Sequence, residues 1–339
     1  MRFGPVPLGE AEGAILAHSV ATPEGRIRKG SRLDADMMAR LRATGRESVI
    51  VARPDPGDVT ENDVAEMVGR ALLAPGLELR PPFTGRANIH ATGAGVLEVS
   101  RAKIDAANAI TPDVTVATLP EWQRVAAGTM VATVKIIPYA TDGAALSGRL
   151  DALTGALRLH PPVIERAELI VTVLEGAPDG TRAVLDRLDR LGVACEVKQV
   201  PHRRDAIRAA LAAGDAPLRL ILTASATSDV ADVGPGALVD AGGRLTRFGM
   251  PVDPGNLLFL GTLGADHVLG LPGCARSPKL NGADWVLERM VCGIELKGED
   301  IARMGVGGLL GEIPTRPQPR EPRRRDQNRS SPPAGPVVE

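Results

Sequence analysis

Four short segments between Glu175 and Gly282 concentrate the residue types that hold and activate polar ligands. The segment TASATSDVADVGP, from Thr223 to Pro235, offers the hydroxyls of Thr223, Ser225, Thr227 and Ser228 with closely spaced backbone N–H groups. Pro235 marks a helix start, whose dipole favours anions. Asp229 and Asp232 are the candidate catalytic carboxylates, able to position a divalent cation or polarise a reacting group. Further on, GMPVDPGN (249–256) and LPGCARSPKLNG (271–282) supply Pro254, Gly255, Asn256, Pro272, Gly273, Cys274, Arg276, Ser277 and Lys279. Arg276 and Lys279 flank Ser277-Pro278 as two cations suited to a phosphate. Gly255 and Gly273 are expected to let backbone approach a ligand with no Cβ in the way. Taken singly, each residue is ordinary turn chemistry, since Gly, Pro, Ser and Asp crowd loops. Cys274 reads as a small packing residue before it reads as a nucleophile. The five histidines show no metal-ligand spacing, so no metal site is assigned to them.

The segments must be brought together by the fold, and the second half of the chain has the pattern to do so. Leu169–Leu174 is an apolar run of strand length. Thr181–Leu191 carries Val184, Leu185, Leu188 and Leu191 on one helical face and stops at Gly192. Val193–Val200 is strand-like, Asp205–Ala213 helical, and Leu218–Leu222 a buried strand. This β-α-β-α-β order predicts a parallel sheet covered by helices on both faces. A short helix follows over Pro235–Ala241, then a hairpin of Leu257–Leu260 and His267–Leu271, and a last helix containing Trp285–Val291. Ligands bind beyond the carboxyl ends of strands in such sheets, which selects the loops Glu175–Gly180, Thr223–Gly234 and Pro272–Gly282. An antiparallel hairpin would bring 249–256 to the same edge.

The first 160 residues read as a mixed α+β domain. Helices are expected at Leu33–Thr44, from the Thr60/Asp63 capping-box pair through Ala74, at Ser100–Asn108 and at Ala144–Leu157. Strands are expected at Ser48–Ala52, Gly95–Val99, Val114–Thr118 and Met130–Ile137. His160-Pro161-Pro162 is a linker signal, giving domains at 1–160 and 161–313. From Pro314 the Pro-, Arg- and Ser-rich composition predicts a disordered tail.

Bulk composition narrows the function. Forty basic and 41 acidic residues nearly cancel, which removes the electrostatic case for nucleic acid or an anionic membrane as partner. Aromatics at 2% argue against base-stacking surfaces. The three cysteines are far apart, so neither a disulfide framework nor a C-x-x-C knuckle is present. No signal peptide or apolar run of membrane length is seen, and a cytoplasmic location is expected. Gly305–Gly311 mimics a dinucleotide fingerprint but does not open a helix within a βαβ unit, so a nicotinamide enzyme is rejected.

In combination, the loops resemble a family. TASATSDVADVGP is similar to the T-G-G-T-G-x-x-x-x-D-V-x-P loop of molybdopterin-binding domains, FGMPVDPGN to their x-x-M-x-P-G-x-P loop, and LGLPGCARSP to their L-P-G-N-P loop. FGPVPL, EAEGAILAHS and RVAAGTMVATVKIIP extend the likeness to bacterial proteins in which this half precedes a molybdenum-cofactor cytidylyltransferase-type domain. The resemblance implies a three-layer α/β/α molybdopterin-binding domain behind a mixed α+β domain. It implies a role in molybdenum cofactor biosynthesis, with molybdopterin as ligand and a nucleotidyltransferase or molybdoenzyme maturation factor as partner, and it leaves a homo-oligomer open. No nucleotidyltransferase domain follows Pro314 in this sequence, so the expectation is a chain that holds the cofactor. Ala224, Ser225 and Thr227 replace family glycines, Asp253 replaces a lysine, and Cys274 replaces an asparagine. Asp232 alone is carried over among the acidic positions. Binding is therefore expected ahead of the alternative, a Mg²⁺-dependent nucleotidyltransferase or molybdotransferase.

Overall fold

The computed structural model describes residues 1–176 and 179–310; the stretch expected to be a tail lies outside them. Apolar side chains collect into one cluster near the N-terminus, one in the middle of the chain, and two on opposite faces of a C-terminal sheet. The first is built on the antiparallel strands Arg2–Pro7, Ser48–Arg53 and Ile15–Leu16. Helix Ala35–Arg42 closes it with Met38 and Leu41, capped by Asp34, which accepts from the Met37 amide at 2.8 Å.

The middle cluster holds two antiparallel sheets. Val114–Thr118, Met130–Ile136, Arg86–Ala91 and Leu77–Leu79 form one, and Gln123–Val125, Gly95–Val99 and Leu157–His160 the other. The helical stretch expected over Ala144–Leu157 divides into a 3-10 turn (Gly143–Leu146), a helix (Ser147–Leu153) and the strand Leu157–His160. Gly155, at φ 67°, ends the helix in the left-handed conformation that glycine adopts without strain.

The C-terminal unit is an α/β fold, its elements numbered within it. The strands are β1 (Arg166–Val173), β2 (Ala194–Pro201), β3 (Leu218–Leu222), β4 (Arg244–Phe248), β5 (Phe259–Leu263) and β6 (Asp266–Leu271). The helices are α1 (Thr181–Asp189), α2 (Arg204–Ala213), α3 (Val233–Asp240), α4 (Gly282–Val291) and α5 (Gly298–Ala302). The sheet order is β2-β1-β3-β6-β5-β4, parallel across the first four strands and antiparallel for the last two pairings. Alternation sets the layers. Leu169 and Val171, Leu218 and Leu220, and Leu269 and Leu271 face α1 and α4, while Ile170, Ile221 and Val268 face α2 and α3. β4 was not foreseen, and the first hairpin strand lies at Phe259–Leu263, later than expected. A bulge between Leu245 and Arg247 interrupts the β4–β5 register.

At the amino ends of the strands, Glu168 on β1 and Arg219 on β3 are register partners and almost fully buried. Glu168 meets Lys198 Nζ at 3.1 Å, and Arg219 meets Asp266 at 2.8 Å. The middle and C-terminal units are joined by Arg124 Nε donating to Glu288 Oε1 at 3.0 Å, and by the Arg289 guanidinium 5.0 Å from the Trp122 ring centre.

Burial pushes the Glu288 carboxyl up to about 7. Asp284 adds to the push, and Arg124 and Arg289 oppose it without overcoming it. Its folded-state value lies above the unfolded one, so the folded protein keeps a proton that the unfolded chain releases. Stability on this account falls as pH rises from the usual carboxyl range to about 7 and is then level. The total is on the order of 3 kcal/mol. Thermal melts between pH 5 and pH 8 should show wild-type stability declining, and Glu288→Gln should flatten that decline; parallel profiles would remove Glu288 as the cause.

Candidate functional site

β1 connects through α1 to β2 on one side, whereas the chain leaving β3 runs toward the opposite side of the sheet. The carboxyl ends of β1 and β3 are adjacent, and the strand order reverses there, which is where open sheets of this kind bind ligands in a crevice between the loops. Thr223, directly after β3, is buried; its hydroxyl donates to the Ser225 carbonyl at 2.8 Å and lies 3.2 Å from Thr227 Oγ1. The Ala224 amide donates to Thr172 Oγ1 of β1 at 2.7 Å. These bonds fold the loop back on itself. The next three amides, of Ser225, Ala226 and Thr227, have no hydrogen-bond partner among the described residues. These three donors are available to a ligand or to water.

The two aspartates of this loop are engaged locally. Asp232 caps α3, its two carboxylate oxygens accepting from Val233 N at 2.7 Å and Ser228 N at 3.1 Å. Asp229 accepts from Ala231 N at 2.7 Å. Because Asp232 caps it, α3 begins at Val233, two residues before the expected proline, and its positive end already faces a carboxylate. Among the described residues, no group of three or more His, Cys, Asp or Glu side chains is placed to hold a metal ion.

The loop after β6 is shaped from beneath by Arg187 of α1, a residue not singled out from sequence. Only 7% exposed, Arg187 pairs with the equally buried Asp284. It also donates to the carbonyls of Ala275 at 2.9 Å, Ser277 at 2.8 Å and Lys279 at 3.0 Å. Asp284 in turn accepts from the Asn281 amide at 2.8 Å, and Asn281 Oδ1 accepts from Ala283 N at 3.0 Å, a capping box that starts α4. Asn281 is thus a fully buried cap.

Arg276 and Lys279 differ in setting. Arg276 donates to the Thr223 carbonyl at 2.8 Å and packs its stem where a Cβ on Gly180 would stand, so three loops meet at this side chain. Burial lowers its pKa, against the attraction of Asp179. Hydrogen bonds from Thr181 hold the Asp179 carboxyl below its usual range. Lys279 is exposed. Burial raises the Cys274 thiol above its usual pKa, and Asp253 and Asp284 add to the effect, so a thiolate is disfavoured.

Gly255 serves a purpose other than the one expected. At φ 138°, its missing Cβ makes room for the backbone of Gly282, whose amide donates to the Pro254 carbonyl at 2.8 Å. The 249–256 loop is thereby locked to the start of α4, with Asn256 exposed and Gly255 buried. Gly273 keeps the open side expected of it: an added Cβ would find nothing nearer than Arg276 Nη1 at 3.9 Å.

His202, which reads in the sequence as a surface or capping histidine after a strand end, has two side-chain partners. It follows β2 directly, and its Nδ1 lies 2.8 Å from Thr172 Oγ1 while its Nε2 lies 3.0 Å from Ser225 Oγ. Its position after a strand end was the available signal. For Arg187 the signal was a lone cation three residues after Val184, on the apolar stripe of α1.

Residues 5–53 match a family model described as a domain of unknown function (DUF8806). No curated protein matches the chain. Among solved structures, a molybdopterin biosynthesis MoeA protein from Pyrococcus horikosii is a distant likeness, at TM-score 0.32 and 13% identity. The alignment covers 89% of this chain and 77% of that one.

Arg187→Ala strands Asp284 without its cation and frees three carbonyls. Urea denaturation should show a loss of about 3–5 kcal/mol. Lys279→Ala should stay within about 0.5 kcal/mol of wild type. Equal stabilities for the two variants would deny Arg187 its anchoring role.

Proposed function

We propose that the crevice binds molybdopterin, a phosphorylated pterin, and that the chain takes part in molybdenum cofactor biosynthesis or maturation. The observation that carries this reading is the run of three unpartnered amides at Ser225, Ala226 and Thr227, on a loop that resembles a molybdopterin loop in sequence. Backbone N–H donors of this kind, with a cation close by, are what a phosphate accepts from. Around it, Thr223, Thr227 and Ser228 give the loop its shape, and Lys279 brings an exposed ammonium. Arg276 supports the loop through the Thr223 carbonyl. Pro254, Gly255 and Asn256, with Pro272, Gly273, Cys274 and Ser277, form the two companion loops.

Binding is favoured over group transfer by the state of the acidic pair. Asp232 is held in place as the cap of α3 and Asp229 accepts from its own loop, and no third acidic or imidazole ligand stands with them among the described residues.

Titration of the purified chain with molybdopterin, followed through its fluorescent oxidised pterin, tests the reading. Replacing Arg276 and Lys279 together by Ala should weaken binding by roughly tenfold or more, as expected when charge-assisted contacts are lost. Undiminished affinity in a folded double variant would place the cofactor elsewhere. Wild-type protein supplied with ATP or CTP and magnesium should show no turnover; turnover lost in Asp232→Asn would establish the transferase reading instead.

A further inference from the structure

The Ser225–His202–Thr172 chain has a geometry that a cofactor-holding loop does not require. Ser225 is exposed at the crevice, His202 Nε2 stands 3.0 Å from its hydroxyl oxygen, and Thr172 Oγ1 stands 2.8 Å from Nδ1 on the far side of the ring. A nucleophile, a base within hydrogen-bond reach and a third group that orients the base are the parts of an activated serine. The orienting group is well fixed. Thr172 is 2% exposed on the central strand β1, and the His202 amide donates to the Val173 carbonyl at 3.1 Å, which anchors the imidazole to the same strand. Thr172 Oγ1 receives the Ala224 N–H on one lone pair, and its second can receive Nδ1–H. That tautomer leaves the Nε2 lone pair facing Ser225.

Acyl transfer also needs donors for the oxyanion, and the N–H of the residue after the nucleophile is where such sites supply one. The Ala226 and Thr227 amides are without partners among the described residues. The segments that follow β1 and β3, the two strands bridged by Thr172 and Ala224, carry exposed apolar side chains, Leu174 at 57% and Val230 at 50%.

We propose that Ser225 is a catalytic nucleophile, with His202 as its base and Thr172 as a positioning residue, acting on carboxylic esters with an apolar acyl group. Ser225 Oγ bonds to the carbonyl carbon as its proton passes to His202 Nε2. The tetrahedral oxyanion is held by the Ala226 and Thr227 amides. Collapse breaks the ester C–O bond, and the departing alcohol takes the proton from His202, leaving acyl-Ser225. Water then attacks the acyl carbon, giving its proton to His202, and the carboxylic acid leaves as Ser225 regains a proton. Ester and water become acid and alcohol, with nothing else consumed. Ester and cofactor phosphate would compete for the Ala226 and Thr227 amides, but each is tested with its own ligand, so either reading can fail alone.

The full-length chain is treated with a fluorophosphonate probe, and the modified peptide is located by mass spectrometry. Labelling is expected at Ser225 and absent in Ser225→Ala. His202→Gln, shown by its melt to be folded, should slow labelling and p-nitrophenyl butyrate hydrolysis by about 100-fold or more, the scale of a lost general base. Thr172→Val should slow both, and Thr172→Ser, which keeps the hydroxyl, should restore them; a merely structural threonine would not show that pattern. No labelling of folded wild type, a rate indifferent to His202→Gln, or ester hydrolysis persisting in Ser225→Ala would each overturn the proposal. So would turnover of p-nitrophenyl phosphate in place of the ester.

Discussion

A single buried guanidinium fixes the loop after β6 and the start of α4. Removing Arg187 from water is costly, and the cost is offset only because every part of its fork finds an acceptor: one carboxylate, three carbonyls of the loop after β6, and the Ala183 carbonyl of its own helix. The loop carbonyls come from alternate residues, 275, 277 and 279, so the segment between them is pulled inward at regular intervals. The Lys279 side chain stays exposed although its carbonyl is bound. Asp284 ties the same arginine to the first turn of α4, and Gly282 one turn edge earlier ties α4 to the 249–256 loop. Two of the crevice walls therefore depend on one ion pair.

The other wall depends on hydroxyls. Thr172 and Thr223 sit at the ends of adjacent parallel strands and satisfy the Ala224 amide and the Ser225 carbonyl. With these needs met inside the fold, the amides that follow are left for something else. Charge is treated in the opposite way at the far end of the strands, where Glu168, Lys198, Arg219 and Asp266 are paired with one another. The sheet thus spends its charged side chains on closure at one end and exposes neutral donors at the other.

The parallel core was legible because its signals are local. Leu218–Leu222 and the helices ending at Gly192 and Gly214 announce themselves by apolar period and by glycine stops, and they lie where the sequence puts them. The loops after β1, β3 and β6 also lie where the strand pattern puts them. What stayed hidden was long-range. Arg187 lies 97 residues from Asp284 along the chain, and nothing near it in sequence requires a partner. His202 became visible only when β2 was placed beside β1, 30 residues from Thr172. Gly255 was seen as special, yet its reason, the backbone of Gly282, belongs to another element. β4 was missed because Arg244 and Arg247 dilute its apolar pattern to that of an edge.

The edges of the C-terminal sheet have a consequence for solution behaviour. An open sheet offers two rows of unsatisfied backbone groups, and chains with bare edges pair with their own copies into aggregates. One edge here is β2, which carries Glu196 and Lys198 and ends at Pro201. The other is β4, with Arg244 and Arg247 and a bulge between Leu245 and Arg247 that breaks its line. Strand-to-strand addition would bring like charges together at the arginine edge and meet a residue with no N–H at the end of the other. The two least regular strands of the C-terminal sheet thus guard its edges against pairing with a second copy.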